Sequence, residues 1–363
     1  MRTWHREKLG MLDRVSSLLT PEMADDVARS YPQFRPILDH WRLHGRISRL
    51  QDMDLGEAPS VFRDFVQFTL GLVAEHPKFD SAATKTPTGS QICHHQQPKE
   101  LVNLRPASWA LCDGDKIARM RTILGIWPSD SPSYEIKQIS NEFCLSVASM
   151  AIEFLQSLQA TKRIELRHIT LLEDRTTIAH PEYHARGFIP LCQKNLRLRI
   201  ERRASLWTNI FLRDSCCFSG KEIVHTGGIL VGLEAHHITR LMGPWITEAL
   251  ALTSLGMPPE SFTLVIDGEP ILEKSSEVFG IVQRDAAWQA ALDECYSRQL
   301  LPKPSWIERR LHPCYMFEGL PQALSDIVSG NSLVRCNFPT GELWTMETVL
   351  GEHEEWSSSE WGI

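Results

Sequence analysis

The chain has 363 residues, a net charge of −7, 42% hydrophobic residues and 23% charged residues. This length and composition support a folded core in one or two domains and exclude an intrinsically disordered chain. The mild acidity disfavours a protein that binds nucleic acid through bulk positive charge, and no apolar run reaches the length of a membrane span.

The cysteine content and the N-terminus indicate a compartment. Nine cysteines are scattered along the chain, no N-x-[ST] sequon is present, and MRTWHREKLGML lacks the apolar region of a signal peptide. We therefore expect free thiols in a reducing environment, and an intracellular protein of the cytoplasm or nucleus that does not bind membranes.

Residues 1–76 are predicted to form a helical module. The word TPE predicts a helix start, because Thr20 can cap the helix and Pro21 suits its first turn. Further apolar stripes follow Pro32 and Pro59. The first stripe, at helical spacing, consists of Leu9, Leu12, Val15 and Leu19.

Residues 77–108 differ in composition, with few large apolar side chains and many Thr, Ser, Gln and Pro. A connection of about 30 residues is far longer than the usual loop of about 4–6. The sequence therefore predicts a linker or mobile loop here, at a domain boundary.

Residues 109–350 alternate predicted helices and strands. In LRLRIERR, apolar and charged residues alternate with the period of a half-buried strand. The order predicts an α/β (or α+β) body with a small, mostly parallel sheet. A solenoid-like sheet with helices on one face and a three-layer sandwich both fit. The predicted strands begin near Ile164, Leu196, Phe262 and Leu333.

The stretch LLEDRTTIAHPEYHARGFIPLCQKN supports two interpretations. Asp174, His180 and His184 could form an acid–base site. Alternatively, Asp174 meets solvent and a helix begins at Pro181, which leaves His180 outside that helix because proline disfavours a helical residue before it. The imidazoles would then not share a helix face, so we expect no metal, and the chain carries no nucleotide, hydrolase or zinc-protease motif that would imply a cofactor.

Two further segments are candidates for binding. The densest basic cluster, Arg197, Arg199, Arg202 and Arg203, could hold an acidic partner or be a solvated strand edge. Residues 351–363 form an acidic tail, GEHEEWSSSEWGI, which is either a disordered end or a segment that docks on a basic surface through its two tryptophans.

The words LLEDR, AHPEYHARGFIPLCQKN, LRIERR, SFTLVIDG and QRDAAWQAALDECYSR resemble a segment shared by a broad group of filamentous-fungal proteins without an assigned activity. The resemblance covers roughly residues 141–344. Some members resemble F-box proteins, in which an N-terminal helical module holds an adaptor subunit and the rest binds targets. Leu19, Pro21 and Glu22 match the Leu-Pro-x-Glu-like turn of that module, whereas Thr20 and the polar Asp25 and Asp26 depart from its pattern.

We therefore predict a non-catalytic protein-interaction protein, with an F-box-like substrate adaptor of a ubiquitin ligase as its specific form. The alternative is an enzyme of small-molecule metabolism with an acid–base site near Asp174, His180 and His184. The expected interaction residues are Leu19, Pro21, Glu22, Arg197, Arg199, Arg202, Arg203, Trp356 and Trp361.

Overall fold

The computed structural model describes residues 2–44, 55–84, 98–111, 114–123, 145–175, 177, 180–211, 235–312, 315–353, 355–357 and 360–361. The chain forms two compact units. The first comprises Met1–Asp54 and Pro59–Glu142, and the second comprises Leu55–Ala58 and Phe143–Ile363.

The described part of the first unit is helical, as the sequence predicts. A 3₁₀ turn follows each of its first two helices: Ser16–Leu18 follows the first, and Pro32–Phe34 follows the second. Its helices are α1 Arg2–Val15, α2 Pro21–Ser30, α3 Arg35–His44, α4 Pro59–Val73, α5 Phe79–Ala83, α6 Pro98–Asn103 and α7 Gly114–Ile123.

Helix α2 begins where the TPE word predicts. The Thr20 hydroxyl accepts a hydrogen bond from the Met23 amide at 3.3 Å, and Pro21 occupies the first turn. The core beside it is aromatic, because the Phe34 ring packs at 4.4 Å from that of Phe65 and at 5.6 Å from that of Phe62. Burial of these rings stabilises the packing of the Pro32–Phe34 turn against α4.

The predicted linker contains described helical segments at both ends, α5 and α6. A buried ammonium group holds the second of them: Lys8 of α1 donates to the carbonyls of Val102 at 3.2 Å and Leu104 at 2.8 Å, and to the Gln67 side chain. The intervening residues 85–97 lie outside the described residues, so a linker there stays a prediction.

The second unit combines helices with one sheet. A 3₁₀ helix, Pro181–Phe188, and a π-helical turn, Leu206–Ile210, complete it. Its helices are α8 Val147–Ser157, α9 Ala160–Glu165, α10 Ile189–Lys194, α11 Ala235–Ser254, α12 Leu272–Ser297, α13 Trp306–Leu311, α14 Leu320–Val328 and α15 Met346–His353. Its strands are β1 His168–Glu173, β2 Arg199–Ser205, β3 Phe262–Asp267 and β4 Val334–Cys336.

The sheet has the strand order β1-β2-β3-β4, and all neighbouring pairs are parallel. This confirms the predicted α/β class and the parallel sheet. Connections between parallel strands are almost always right-handed. When strands follow one another in chain order across a sheet, right-handed connections all run over the same face, and the helices therefore cover that face.

Burial along the strands follows this one-sided arrangement. Leu171, Ile200, Leu264 and Val334 are buried on the helix-covered face. We call the opposite side the open face. In strand order, its residues are His168, Thr170, Leu172, Arg199, Glu201, Arg203, Ser205, Thr263, Val265, Asp267 and Arg335.

One local prediction was wrong. The strand expected to begin near Ile164 begins only at His168, because the residues from Ala160 to Glu165 form helix α9. Pro190 lies in the first turn of α10, where proline is tolerated because its missing amide would have no partner inside the helix. Within the described residues, no helix is both long enough and apolar enough to cross a membrane.

Candidate functional site

The predicted acid–base residues have separate surroundings. Asp174 is exposed directly after β1. His180 adopts a left-handed conformation with φ 61° before Pro181, outside the 3₁₀ helix as the second interpretation expects, and its Nδ1 lies 3.2 Å from Glu182 Oε1. His184 is buried and its Nδ1 forms a 2.9 Å hydrogen bond with Ser149 Oγ.

The ring of Tyr183 contacts both imidazoles, with centroid distances of 5.3 Å to His180 and 6.3 Å to His184. Each histidine also has its own polar partner, so the pair forms part of a packed polar layer. In the part of the chain that the structure describes, no three His, Cys, Asp or Glu side chains are grouped closely enough to hold a metal ion.

A charged pair that the sequence did not reveal lies beneath this layer. The Arg202 guanidinium donates to Glu173 Oε1 from Nε at 3.1 Å and from Nη2 at 2.7 Å, and stacks on the Trp245 ring at 4.7 Å. Ser146 Oγ and the Ala148 amide donate to the same oxygen at 3.0 and 3.1 Å. This pair joins β1, β2 and the N-terminus of α8.

Electrostatics keeps Glu173 ionised in this buried position. Burial by itself favours the protonated acid, but Arg202 and the hydrogen bonds from Ala148 and Ser146 outweigh it and lower the pKa of Glu173 below its ordinary value. The expectation that Arg202 is an interaction residue is corrected, because its side chain is only 1% exposed. The period of two in β2 places it on the same face as Ile200.

The other arginines of the cluster lie at or near the open face. Arg197 is exposed before β2, and Arg199 Nη2 lies 3.6 Å from Glu260 Oε2. Arg203 donates from Nε to Asp267 at 3.0 Å and from Nη1 to Glu201 at 3.4 Å. The open face therefore carries basic side chains, most of them offset by an acid.

The apolar part of the open face adjoins these charges. Leu172 is 58% exposed and lies in register with Arg203 on the neighbouring strand. Val265 is buried although it is on the open face, because it lies in register between Arg203 and Arg335 and long aliphatic stems cover such positions. Arginine is among the residue types that are enriched at protein interfaces.

Arg335 of β4 was not among the predicted interaction residues. It is exposed on the open face, beside Val265. The word SLVRCNF predicts the strand, and successive side chains of a strand point to opposite faces of the sheet. Arg335 and Val334 therefore lie on opposite faces, and this alternation could have identified Arg335 as a residue of the exposed face. What local spacing could not show is that β4 pairs with β3.

A cleft opens at the amino ends of β3 and β4, with a volume of about 460 Å³. Thr263 and Arg335 belong both to its lining and to the open face. The remaining lining residues come from the end of α11, the loop before β3, the first residue of β3 and the loop before β4: Leu252, Thr253, Met257, Pro258, Pro259, Glu260, Phe262, Gly330, Asn331, Ser332 and Leu333.

The predicted adaptor-binding residues lie at the start of α2. Leu19 is half-buried, and Pro21 and Glu22 are exposed. The pKa of Glu22 is lowered, first by a hydrogen bond with its own backbone amide and then by one with Thr20. Asp25 explains one departure from the F-box pattern, because it lies 3.4 Å from Arg35 and 3.2 Å from Arg42 and forms ion pairs with both.

The tail packs within the second unit. Trp361 is 4% exposed and its ring lies 5.2 Å from that of Trp288 on α12. Trp356, which is half-buried, lies 5.7 Å from the same ring. The surface on which the tail docks is therefore aromatic, and the expectation that Trp361 contacts a basic surface is corrected.

No protein-family model, curated protein or solved structure matches this chain.

Proposed function

We propose that this chain is a protein-interaction protein that binds a partner on the open face of its parallel sheet. The observation that carries the proposal is the exposure of Leu172 on that face, on the edge strand β1. Parallel sheets usually have both faces covered by helices. A sheet with one face that no described helix covers, and with an apolar side chain exposed on it, has a surface available for another protein.

The side chains on the open face suit protein recognition. Arg203 and Asp267 hold one another in fixed positions through a 3.0 Å hydrogen bond, so part of the surface is ordered before binding. Preorganised side chains reduce the entropy cost of association. Leu172 supplies apolar area, and Thr170 and Glu201, in register on adjacent strands, supply polar groups at the rim.

The test is affinity purification of the tagged full-length chain from native extract, with proteins identified by quantitative mass spectrometry. Leu172→Arg is expected to lose a specific set of partners that the wild-type chain recovers. The matched control is Leu300→Arg, which makes the same change at a leucine 46% exposed in the turn that follows α12. Equal recovery with both variants would refute the proposal.

We also propose a specific form of this function, in which the first unit binds the adaptor subunit of a ubiquitin ligase. Its support is the exposure of Pro21 and Glu22 at the start of a capped helix, together with the resemblance of the LLTPE segment to an F-box. The test is direct binding of the purified adaptor. Glu22→Lys should weaken binding and Glu75→Lys, an equal charge change at another exposed site, should not. If the wild-type chain does not bind, the adaptor form is wrong and the open-face proposal is unaffected.

A further inference from the structure

One cation of the open face has no partner within the described residues. Arg199 lies near Glu260, and Arg203 binds Asp267. Arg335 is exposed and makes no hydrogen bond or ion pair with any described residue. Its five N–H donors are therefore available to a ligand.

The lining of the cleft beside Arg335 mixes apolar and polar residues. Its apolar members include Leu252, Met257 and Phe262, whose side chains are mostly covered within the fold. Its volume of about 460 Å³ lies within the range of roughly 300–1,000 Å³ that is usual for sites that bury a ligand. An apolar group that entered the cleft would therefore be withdrawn from water.

The cleft lining carries two opposite charges, on Glu260 and Arg335. The Glu260 carboxylate lies 3.6 Å from Arg199, outside the lining, which offsets its charge. No described residue offsets the charge of Arg335. The cleft is therefore complementary to a carboxylate next to an apolar side chain, because a guanidinium binds a carboxylate through two parallel hydrogen bonds.

We propose that this cleft binds an extended segment of a partner protein in which an Asp or Glu lies beside an apolar residue. The carboxylate pairs with Arg335, and the apolar side chain enters the cleft over Phe262. This inference rests on the proposed function, since Thr263 and Arg335 make the cleft continuous with the open face. That continuity is the reason for a polypeptide occupant, which can follow the face and fill the cleft together.

The experiment uses a displayed library of random twelve-residue peptides, selected on the immobilised full-length chain. Enriched peptides are synthesised with a fluorescent label, and binding is measured by anisotropy for the wild-type chain and for Arg335→Ala. The control is Arg284→Ala, which removes the same charge from a partly exposed position on α12. Arg335 has no described hydrogen-bond or ion-pair partner, but its stem covers Val265, so its variant should unfold slightly below the wild-type chain, and thermal unfolding checks that it stays folded at the assay temperature.

The expected result is enrichment of peptides with an acid beside an apolar residue, whose affinity falls about tenfold or more with Arg335→Ala and stays unchanged with Arg284→Ala. No enrichment, enrichment without an acid, or equal binding to Arg335→Ala would each overturn the inference. Loss of the native partners with Leu172→Arg but not with Arg335→Ala would overturn the cleft while leaving the open-face proposal standing. If neither variant lost a partner, both proposals would be wrong.

Discussion

Replacing Glu173 by Gln tests whether the buried ion pair holds β1 and β2 together. Glu173 Oε1 accepts four hydrogen bonds, two of them from Arg202, and both side chains are almost fully buried. The variant leaves the arginine charge buried without its counterion. Breaking such a pair costs about 3–5 kcal/mol, and we expect this loss in the free energy of unfolding of the second unit.

The assay is urea unfolding followed by far-ultraviolet circular dichroism. Hydrogen exchange of peptides that cover β1 and β2 assigns the transition to the second unit, since a chain with two units need not unfold in one step. Thermal unfolding gives a second measure of the same loss. In a domain of about 150–250 residues, each kcal/mol of lost stability lowers the melting temperature by roughly 2–4 °C, so a decrease of about 6–20 °C is expected.

The matched control is Glu201→Gln on the same strand as Arg202. Glu201 lies 3.4 Å from Arg203, and the two side chains are 33% and 30% exposed. Such a pair contributes about 0–1 kcal/mol, so the control should be almost neutral. Replacement of both buried partners, Glu173→Leu with Arg202→Met, should recover most of the loss because no unpaired charge remains. A loss below about 1 kcal/mol for Glu173→Gln, or an equal loss for the control, would refute the reasoning.

The same variant has a signature in pH. The pKa of Glu173 is lower in the folded chain than in the unfolded chain. The ionised carboxylate therefore adds to the free energy of unfolding above the unfolded pKa, and this stabilisation is lost as pH falls through the folded pKa. Wild-type stability should therefore fall more steeply than that of Glu173→Gln under acid conditions. Parallel curves for the two chains would contradict the lowered pKa.

Three further predictions concern other parts of the molecule. Gly56 has φ +72°, and a Cβ added there would lie 2.3 Å from a tyrosine ring, so Gly56→Ala should destabilise the fold by about 1–3 kcal/mol. Gly280→Ala on α12, where an added Cβ meets nothing within 4 Å, should not destabilise it. Thermal unfolding measures both variants. Burial and two nearby arginines lower the pKa of Lys8 to about 7. Above that pH the unfolded chain binds more protons than the folded chain, so the free energy of unfolding of the first unit should rise from pH 7 to 9. Lys8→Met should remove this rise in urea titrations. Burial raises the thiol pKa of Cys192 to about 11 and of Cys336 to about 12, so iodoacetamide at pH 8 should leave both unlabelled in the native chain, as peptide mass spectrometry can show.

Sequence periodicity predicted the elements that have strong local signals. Strand β3 begins at Phe262, where its apolar pattern places it, and Thr20 caps α2 as its TPE word predicts. Helix α9 was predicted as a strand because RIEL alternates polar and apolar residues over a length too short to distinguish the two periods.

The partners within the site could not be predicted, because they come from distant parts of the chain. Arg202 is two residues after Ile200, so the alternation along β2 alone places it on the inner face. A charged residue at an inner position can be explained only when the residue that neutralises its charge is known. That partner, Glu173, is 29 residues earlier, on a strand whose neighbour no local pattern identifies. The acid–base hypothesis for Asp174 had the same weakness, since its three residues are close in sequence but have different contacts.

The buried pair and the open face are two consequences of the same register. Glu173 and Leu172 are consecutive on β1, and Arg202 and Arg203 are consecutive on β2, so one member of each pair lies in the core and the other on the open face. A slip of one residue would put Leu172 in the core and expose Glu173. The ion pair opposes that slip, because it is satisfied only when Glu173 and Arg202 face the helices together. We infer that the pair determines which side chains the open face presents. The Glu173→Leu, Arg202→Met variant tests this inference. It should retain most of its stability, but the amides of β1 and β2, which exchange slowly in the wild-type chain, should exchange at more than one rate because more than one register is populated.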